Sequence, residues 1–542
     1  MKINNKLNFF IIYFIGILHW IFFFYFVDFY SYNKIKIFDE IKIINEKSDN
    51  INFDTSNRII LNSPISVKKI SDNYLKGDKE LLKNFIQEPK FSNLFQNRKF
   101  INRDWSNEHN ALNVIKYSLN NKIMPYHSDY GVGNAPNKKR FLGNPMISIS
   151  PQLLLINFFE TETFFFINLI FMYSVGFIGC ILFKNHFNLG NTAFLFLFSI
   201  FNFNGYFVTK ISAYGPHLLG YYIIPFFLYF IFKTYNLQKS RISFIRSGVL
   251  IGIANSLILL QGSIHLYTCC VTFLCFWAIF NLRFYIVSFF AFLSNFALSS
   301  IKIFPAFLAY GNIGNHRYWE AGGYSNLSSF FESMVVTKNI FDPPLSGYHE
   351  LSLFVSFFGL ILLIYFAFIY PLTNDQNNKY KFFMRFGIPV ILMIFISFRH
   401  FKHIIIPQWI PLLNSESVTT RYMIIPLIVV LFISVIYFQK FLNTGFRSLK
   451  VKLVVYFSLF MMIISLFNHS RIWRMHVIEN KYLWYEKLVS ISHNKINLPI
   501  ISNSYNDTIY IYSIWIGLLV SIITLLLIIF LFMFNNEKER QM

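Results

Sequence analysis

Charge is scarce in this chain. Only 14% of its 542 residues are Asp, Glu, Lys or Arg, while 55% are hydrophobic. A soluble fold of this length needs far more polar surface, so the bilayer must be the solvent for much of it. Cysteine is nearly missing: Cys180, Cys269, Cys270 and Cys275 all fall inside apolar runs, with no metal-type spacing to a second pair. That argues against a structural disulfide or a zinc cluster. There is no glycine-rich phosphate loop, and hence no sign of a cytoplasmic nucleotide site. There is no internal repeat either, which counts against many transporter designs. Acidic residues number 26 against 48 basic ones, a net charge of +22. The basic excess sits between apolar runs, where it serves orientation and headgroup contact, so no nucleic-acid partner is expected.

Long apolar runs are what the chain does have. The first is Leu7 to Val27, after Lys2 and Lys6; it lacks a small-residue cleavage site and reads as an uncleaved anchor. Others follow near 163–183, 192–207, 218–232, 247–261, 265–281, 284–304, 350–371, 386–398, 421–437, 453–468 and 510–534. The expected fold is therefore an all-α polytopic membrane protein with about twelve transmembrane helices. Several runs are shorter than the roughly 20 residues that a perpendicular helix needs.

With the N-terminus inside, the basic clusters all fall in loops on one side. They are Lys184; Lys233, Lys239, Arg241 and Arg246; Arg283; Lys379, Lys381 and Arg385; Lys440, Arg447, Lys450 and Lys452; and Lys538 and Arg540. The positive-inside rule makes that side cytoplasmic, and both termini with it. The organisation that results is an anchor at 1–27, a large extracytoplasmic loop at 28–162, spans 2–7 in 163–304, and an outer loop at 305–349. Spans 8–11 follow in 350–468, then an outer loop at 469–509, then the last span and a cytoplasmic tail in 510–542. In the large loop, 34–70 has short Ile-rich runs that could be strands, and 70–100 has the pattern of an amphipathic surface helix. Mixed structure is expected there. Residues 469–509, with Trp473, Trp484 and Tyr485, read as an aromatic interfacial segment.

Chemistry-capable side chains are densest at 103–151. Asp104 and Glu108 lie four apart, with His109 beside them, followed by a short helix over Ala111–Leu119 and then by His127 and Asp129. Two carboxylates on one helix face can bind a divalent cation (Mg or Mn), or divide the roles of base and electrostatic stabiliser. The plainer account is a helix N-terminus enriched in acids by its dipole. Further ionisable groups recur at the outer span ends: His217, His265, Lys302, His349, Glu350 and Arg421. A lone interfacial His is more often a helix-end hydrogen-bonder than a catalyst, and a terminal Lys or Arg more often snorkels to water. Their shared sidedness is what points to an enclosed outward-facing site.

A basic group near the outer leaflet suits the phosphate of a lipid carrier, and a nearby carboxylate suits deprotonation of an incoming hydroxyl. Together they suit glycosyl transfer from a polyprenyl-phosphate sugar, with inversion at the anomeric carbon. Asp104-Trp105 through Glu108-His109, Met124-Pro125, Tyr130-Gly131-Val132-Gly133 and Ser148 to Leu155 resemble the first outer loop of bacterial GT-C-type membrane glycosyltransferases, notably the YfhO-like group. The likeness continues through Gly215-Pro216-His217, Gln261 to Leu266, Lys302 to Pro305, Gly347 to Glu350 and Thr420-Arg421-Tyr422, and so covers about residues 100–440. It implies a GT-C-like fold, a lipid-phosphate-sugar donor, a glycan, lipid or protein acceptor in the cell envelope, and a first-loop acid acting as base or metal ligand. Asp104 is the matching position, Glu108 the second, and Asp28, directly after the first span, a rival. A flippase of lipid-linked sugars, or a non-catalytic envelope-assembly protein of the same fold, would share most of these features. The composition, rich in Ile, Asn and Lys, favours a bacterial inner (plasma) membrane.

Overall fold

The structure, a computed structural model, describes residues 2–25, 111–128, 140–159, 161–214, 216–235, 240–310, 322–337, 348–374, 383–401, 404, 416, 418–444, 448–493 and 507–541. The described residues form helices joined by turns and short extended stretches, without a β-strand. In chain order the helices are α1 (Lys2–Tyr25), α2 (residues 111–121), α3 (Thr161–His186), α4 (Asn191–Phe203) and α5 (Gly205–Tyr214). Next come α6 (Ile224–Thr234), α7 (Arg241–Leu260), α8 (Ile264–Phe280), α9 (Tyr285–Leu298), α10 (Ser300–Tyr310) and α11 (Leu327–Val335). The remainder are α12 (Phe357–Ile364), which continues through a π-turn into Tyr370–Asn374, then α13 (Ile388–Ser397), α14 (Ile424–Thr444), α15 (Leu449–His493) and α16 (Thr508–Gln541).

Among the described residues each apolar run expected to span is mainly helical, but the lengths differ. Six described segments are long and apolar enough to cross a membrane: Thr163–His186, Asn191–Ser212, Arg241–Leu260, Thr419–Thr444, Leu449–Arg474 and Thr508–Met533. A seventh arises if Ile264–Phe280 and Leu282–Leu298, bent by 110°, count as one span. Asn8–Phe24, Leu218–Thr234, Ser300–Ala309, Phe357–Thr373 and Arg385–Ser397 are shorter apolar helices. The chain is thus a helical, multi-pass membrane protein. Three expected boundaries also move. The helix reaches Tyr310, past Pro305, rather than ending at 304. The eighth run does not begin its helix at 350, because residues 351–355 pass extended before Ser356 caps α12. Residues 469–493, expected as an outer loop, continue α15, since no Gly or Pro interrupts Leu449–His493. Trp473 on this helix is fully buried within the protein. The expected strands at 34–70 and surface helix at 70–100 lie outside the described residues.

Contacts fix the direction of the helices. Lys184 at the end of α3 lies over the Phe9 ring of α1, 4.3 Å from its centroid. Gly190 before α4 donates to Gln439 near the end of α14. Phe183 meets Phe232 of α6, and beyond it Arg283 and Arg385 both lie against Tyr235. Arg246 at the start of α7 lies against Phe532 of α16. These basic side chains share one end of the bundle. α7 runs about 30 Å from there at ~1.5 Å per residue, close to the hydrocarbon thickness of a bilayer. It packs parallel to α9, with Gly248 against Val287 and Gly252 against Ser294. At its far end lie the polar groups described next.

Between the two ends the core is aromatic. Phe201 and Phe207 stack on either side of Tyr221, at 4.8 and 4.6 Å between centroids. The Tyr221 hydroxyl donates to the Phe201 carbonyl. Such rings bury large area with few torsions to freeze, and in a lipid solvent tight packing supplies the association energy that water would otherwise give.

Candidate functional site

Helix α5 sets the position of the site. Asn204 separates it from α4: its side-chain amide donates to the Ile200 and Phe201 carbonyls, and its oxygen accepts from the Phe207 N–H. That is an N-cap, and it restarts the helix where α4 leaves off. Gly205 then lets the extended segment after Glu350 approach. Its N–H donates to the Phe354 carbonyl at 2.7 Å, and a Cβ there would stand 2.4 Å from the Phe354 nitrogen. One and a half turns on, Lys210 enters the interior, 1% exposed.

Among the described residues, five ionisable side chains meet here: Lys210, Glu350, Arg421, Glu416 and His265. Lys210 donates to Glu350, whose carboxylate is also gripped by Arg421, through Nη2 to Oε1 at 2.7 Å and Nε to Oε2 at 3.2 Å. Arg421 extends its remaining nitrogen, Nη1, to Glu416 Oε1 at 3.1 Å. Glu416 also accepts from the Val418 N–H, and its other oxygen holds His265 Nδ1. The carboxylates are almost wholly buried, whereas Arg421 is 11% and His265 18% exposed, so the cluster opens on their side. The backbone joins in: Thr420 donates to the Glu350 carbonyl at 2.6 Å and Thr209 to that of His349 at 3.1 Å. The buried Tyr206 hydroxyl has no hydrogen-bond partner among the described residues and lies within charge-interaction range of Glu350, Glu416 and Arg421.

Burial alone would raise both carboxyls. For Glu350 the charges of Arg421, Lys210 and His349 and the Arg421 hydrogen bonds outweigh it and hold the group well below the ordinary carboxylate range. For Glu416 the charges of His265 and Arg421, with hydrogen bonds from His265 and the Val418 N–H, bring it down to about 2. Both are carboxylates at neutral pH. Among the described residues, Lys210 and Arg421 offset the two carboxylates, which is how ionised groups are tolerated away from water.

His265 reaches this cluster because of the turn between α7 and α8. Gly262 has φ +80°, a backbone conformation that side chains disfavour, and a Cβ there would lie 2.2 Å from the Met146 carbonyl oxygen. Loop 143–150 packs over that turn, with the Ile149 N–H donating to Leu260 at 2.7 Å. Lys302 holds the same loop. Its ammonium donates to the Asn144 carbonyl at 3.2 Å and to that of Ile147, and it is 1% exposed. Lys302, a candidate substrate-binding residue whose plainer account is snorkelling to water, here clamps loop carbonyls, because the loop folds down over the helix end.

A third network ties the first outer loop to the last helix. Arg140 forks onto Asp507, Nε to Oδ2 at 2.6 Å and Nη2 to Oδ1 at 3.1 Å, and donates through Nη1 to the Leu308 carbonyl. His127 Nε2 is 3.4 Å from Asp507 Oδ2, and its ring meets Tyr510 edge-on. Burial would raise the Asp507 carboxyl, but the hydrogen bonds and charges of Arg140 and His127 lower it. Because Arg140 and Asp507 are each about a quarter exposed, Asp507→Asn should cost under ~1 kcal/mol overall. Its effect should be local: hydrogen exchange at 140–147 speeds up in the variant, and unchanged exchange there would show that the latch holds nothing.

Of the residues singled out in the sequence, His265, Glu350 and Arg421 share the five-membered cluster. His349 lies next to it, 4% exposed, while Lys302 and His127 belong to the two neighbouring networks. The His217 backbone lies in the 3₁₀ turn Pro216–Ile223. Asp104, Glu108, His109 and Asp129 lie outside the described residues. Among the described residues no group of three or more His, Cys, Asp or Glu is placed to hold a metal ion, and the pair expected to bind a divalent cation is not among them. Sequence reasoning missed Lys210, Glu416, Arg140 and Asp507. Lys210 had left a signal as the one Lys, Arg, Asp or Glu between residues 192 and 232. No family model, curated protein or solved structure matches this chain.

Proposed function

We propose that the chain is an integral membrane glycosyltransferase of GT-C-like build, crossing the membrane about twelve times with both termini in the cytoplasm. It transfers a sugar from a polyprenyl-phosphate donor to a glycan, lipid or protein acceptor on the extracytoplasmic side of a bacterial inner membrane. The observation that carries this reading is the meeting of His265, Glu350 and Arg421 with Lys210 and Glu416 at the bundle end opposite the basic loops. The positive-inside rule assigns that end to the outside. Arg421 is the cation best suited to the donor phosphate, as a partly exposed guanidinium already oriented by two carboxylates. Asp104, with Glu108 second, is the acid assigned to the reacting sugar, where a carboxylate stabilises positive charge at the anomeric carbon or holds a divalent cation.

Membranes carrying Asp104→Ala or Glu108→Ala should lose sugar transfer by about 100-fold or more, read as glycolipid formed from a polyprenyl-phosphate sugar. The glycolipids of a deletion strain should differ from those of its parent. Transfer that persists in the variants removes the assignment of the acids. Transfer that persists in the deletion strain while export of the intact glycan fails replaces the enzyme with a flippase.

A further inference from the structure

We infer that Arg283 and Arg385 form a binding site for the phosphate of an acidic phospholipid at the basic end of the bundle. Nothing in this depends on the transfer of a sugar. Three elements meet there around one ring. Tyr235 follows α6, Asn281 and Arg283 lie in the bend between α8 and α9, and Arg385 sits in one turn of π-helix, Phe383–Gly387, that leads into α13. The Tyr235 hydroxyl donates to Asn281 Oδ1 at 2.9 Å and accepts from Trp277 Nε1 at 2.7 Å, so the ring is held by its tip. Asn281 in turn donates to the Arg385 carbonyl at 3.1 Å, which ties the bend to the π-turn. Both guanidiniums lie against Tyr235, with Arg283 Cζ 5.2 Å and Arg385 Cζ 4.6 Å from its centroid. Arg283 also covers the Phe284 ring at 4.3 Å.

Two like charges set on one ring repel each other, and these two are within charge-interaction range. Among the described residues neither guanidinium has a carboxylate partner, and neither donates a hydrogen bond. Snorkelling alone would spread such side chains apart towards water. Here the packing brings them together, and an anion held by both removes the repulsion. Phosphate fits, because guanidinium forks match its oxygens. What flanks the pair argues for a lipid as the source. Arg283 is exposed, and so are its neighbours in sequence Phe280, Leu282 and Tyr285, whereas Trp277 and Phe284 are buried. A phosphate with acyl chains covers both the charge and the apolar surface; a soluble phosphate covers only the first. The positive-inside rule sets this end in the cytoplasmic leaflet, where basic pockets between helices hold acidic headgroups.

The test uses the full chain in detergent, titrated with dioctanoyl phosphatidylglycerol, with retained lipid counted by native mass spectrometry. Retention should saturate, and dioctanoyl phosphatidylcholine, whose phosphate carries its own cation, should be held about 10-fold less tightly. Arg283→Gln should weaken retention of phosphatidylglycerol by about 10-fold, the effect of losing one charge-assisted hydrogen bond, and Arg385→Gln by as much. Should Arg385→Gln fold poorly, Arg283→Gln at its exposed position carries the test alone. Lys184→Gln removes the same charge from a side chain that lies over Phe9 at this end of the bundle. It should leave retention within about 2-fold of the parent. Inorganic phosphate at millimolar concentration should not displace the lipid. Retention indifferent to Arg283→Gln overturns the site, and equal losses in Arg283→Gln and Lys184→Gln replace it with a diffuse basic surface. Displacement by inorganic phosphate overturns the lipid and gives the two arginines to a soluble phosphate.

Discussion

Glu350→Ala should destabilise the fold by roughly 3–5 kcal/mol, the cost of leaving a buried charge without its partner. Lys210 and Arg421 both point at this one carboxylate, and Lys210 is 1% exposed with its stem in an apolar helix. The loss would appear as a lower unfolding midpoint in detergent or as failure to accumulate in membranes. The double variant Glu350→Leu with Lys210→Met should recover much of it, since an apolar pair of similar volume replaces an ion pair at little cost. A single variant as stable as the parent would mean that the cluster is wetter than its burial implies. The same carboxylates make the fold sensitive to acid. Both are depressed, so their contribution is complete above the ordinary value of 4.5 and is lost as pH falls towards about 2, the value of Glu416. The unfolding midpoint should stay level from pH 7 to about 5 and drop below that.

Gly205→Val should be nearly as damaging, by a different route. The added carbon would stand 2.4 Å from both the Phe354 nitrogen and Ser352 Oγ, and the first of these is backbone that cannot rotate away. Overpacking of this kind costs about 1–3 kcal/mol in well-packed interiors. Here it would also part α5 from the segment that leads back to Glu350. Lys210 and Glu350 ride on the two pieces forced apart, so the ion pair should weaken along with the packing. A cycle of Gly205→Val against Lys210→Met should therefore give less than the sum of the two losses. Additivity would mean that the two contacts are independent.

The helices were legible in the sequence because their signals are local. A run such as 510–534 is apolar whatever it packs against, and lipid as solvent turns such a run into a helix. Asn204 and Gly262 also act locally, one as a cap and the other as a left-handed turn. The expected ends were less secure. Leu449–His493 runs on past its apolar part, since polarity alone does not stop a helix that lacks Gly and Pro.

The site was only half legible. His265, Glu350 and Arg421 stood out as ionisable groups at span ends, and their shared sidedness followed from the basic loops. Which of them would touch could not be read. Glu350 finds Lys210 across 140 residues, Glu416 finds His265 across 151, and Arg140 finds Asp507 across 367. No periodicity connects positions so far apart.

By itself, then, the sequence determined the solvent, the helices and the end of the bundle at which polar groups gather, because hydropathy and loop charge act over a few turns. Only the tertiary structure decided that Lys210 and Glu416 complete the cluster and that Lys302 clamps a loop instead of reaching water. The physical reason is burial. A charge removed from solvent must be met by whatever partner the packing of distant helices brings to it, and that choice is made in space rather than along the chain.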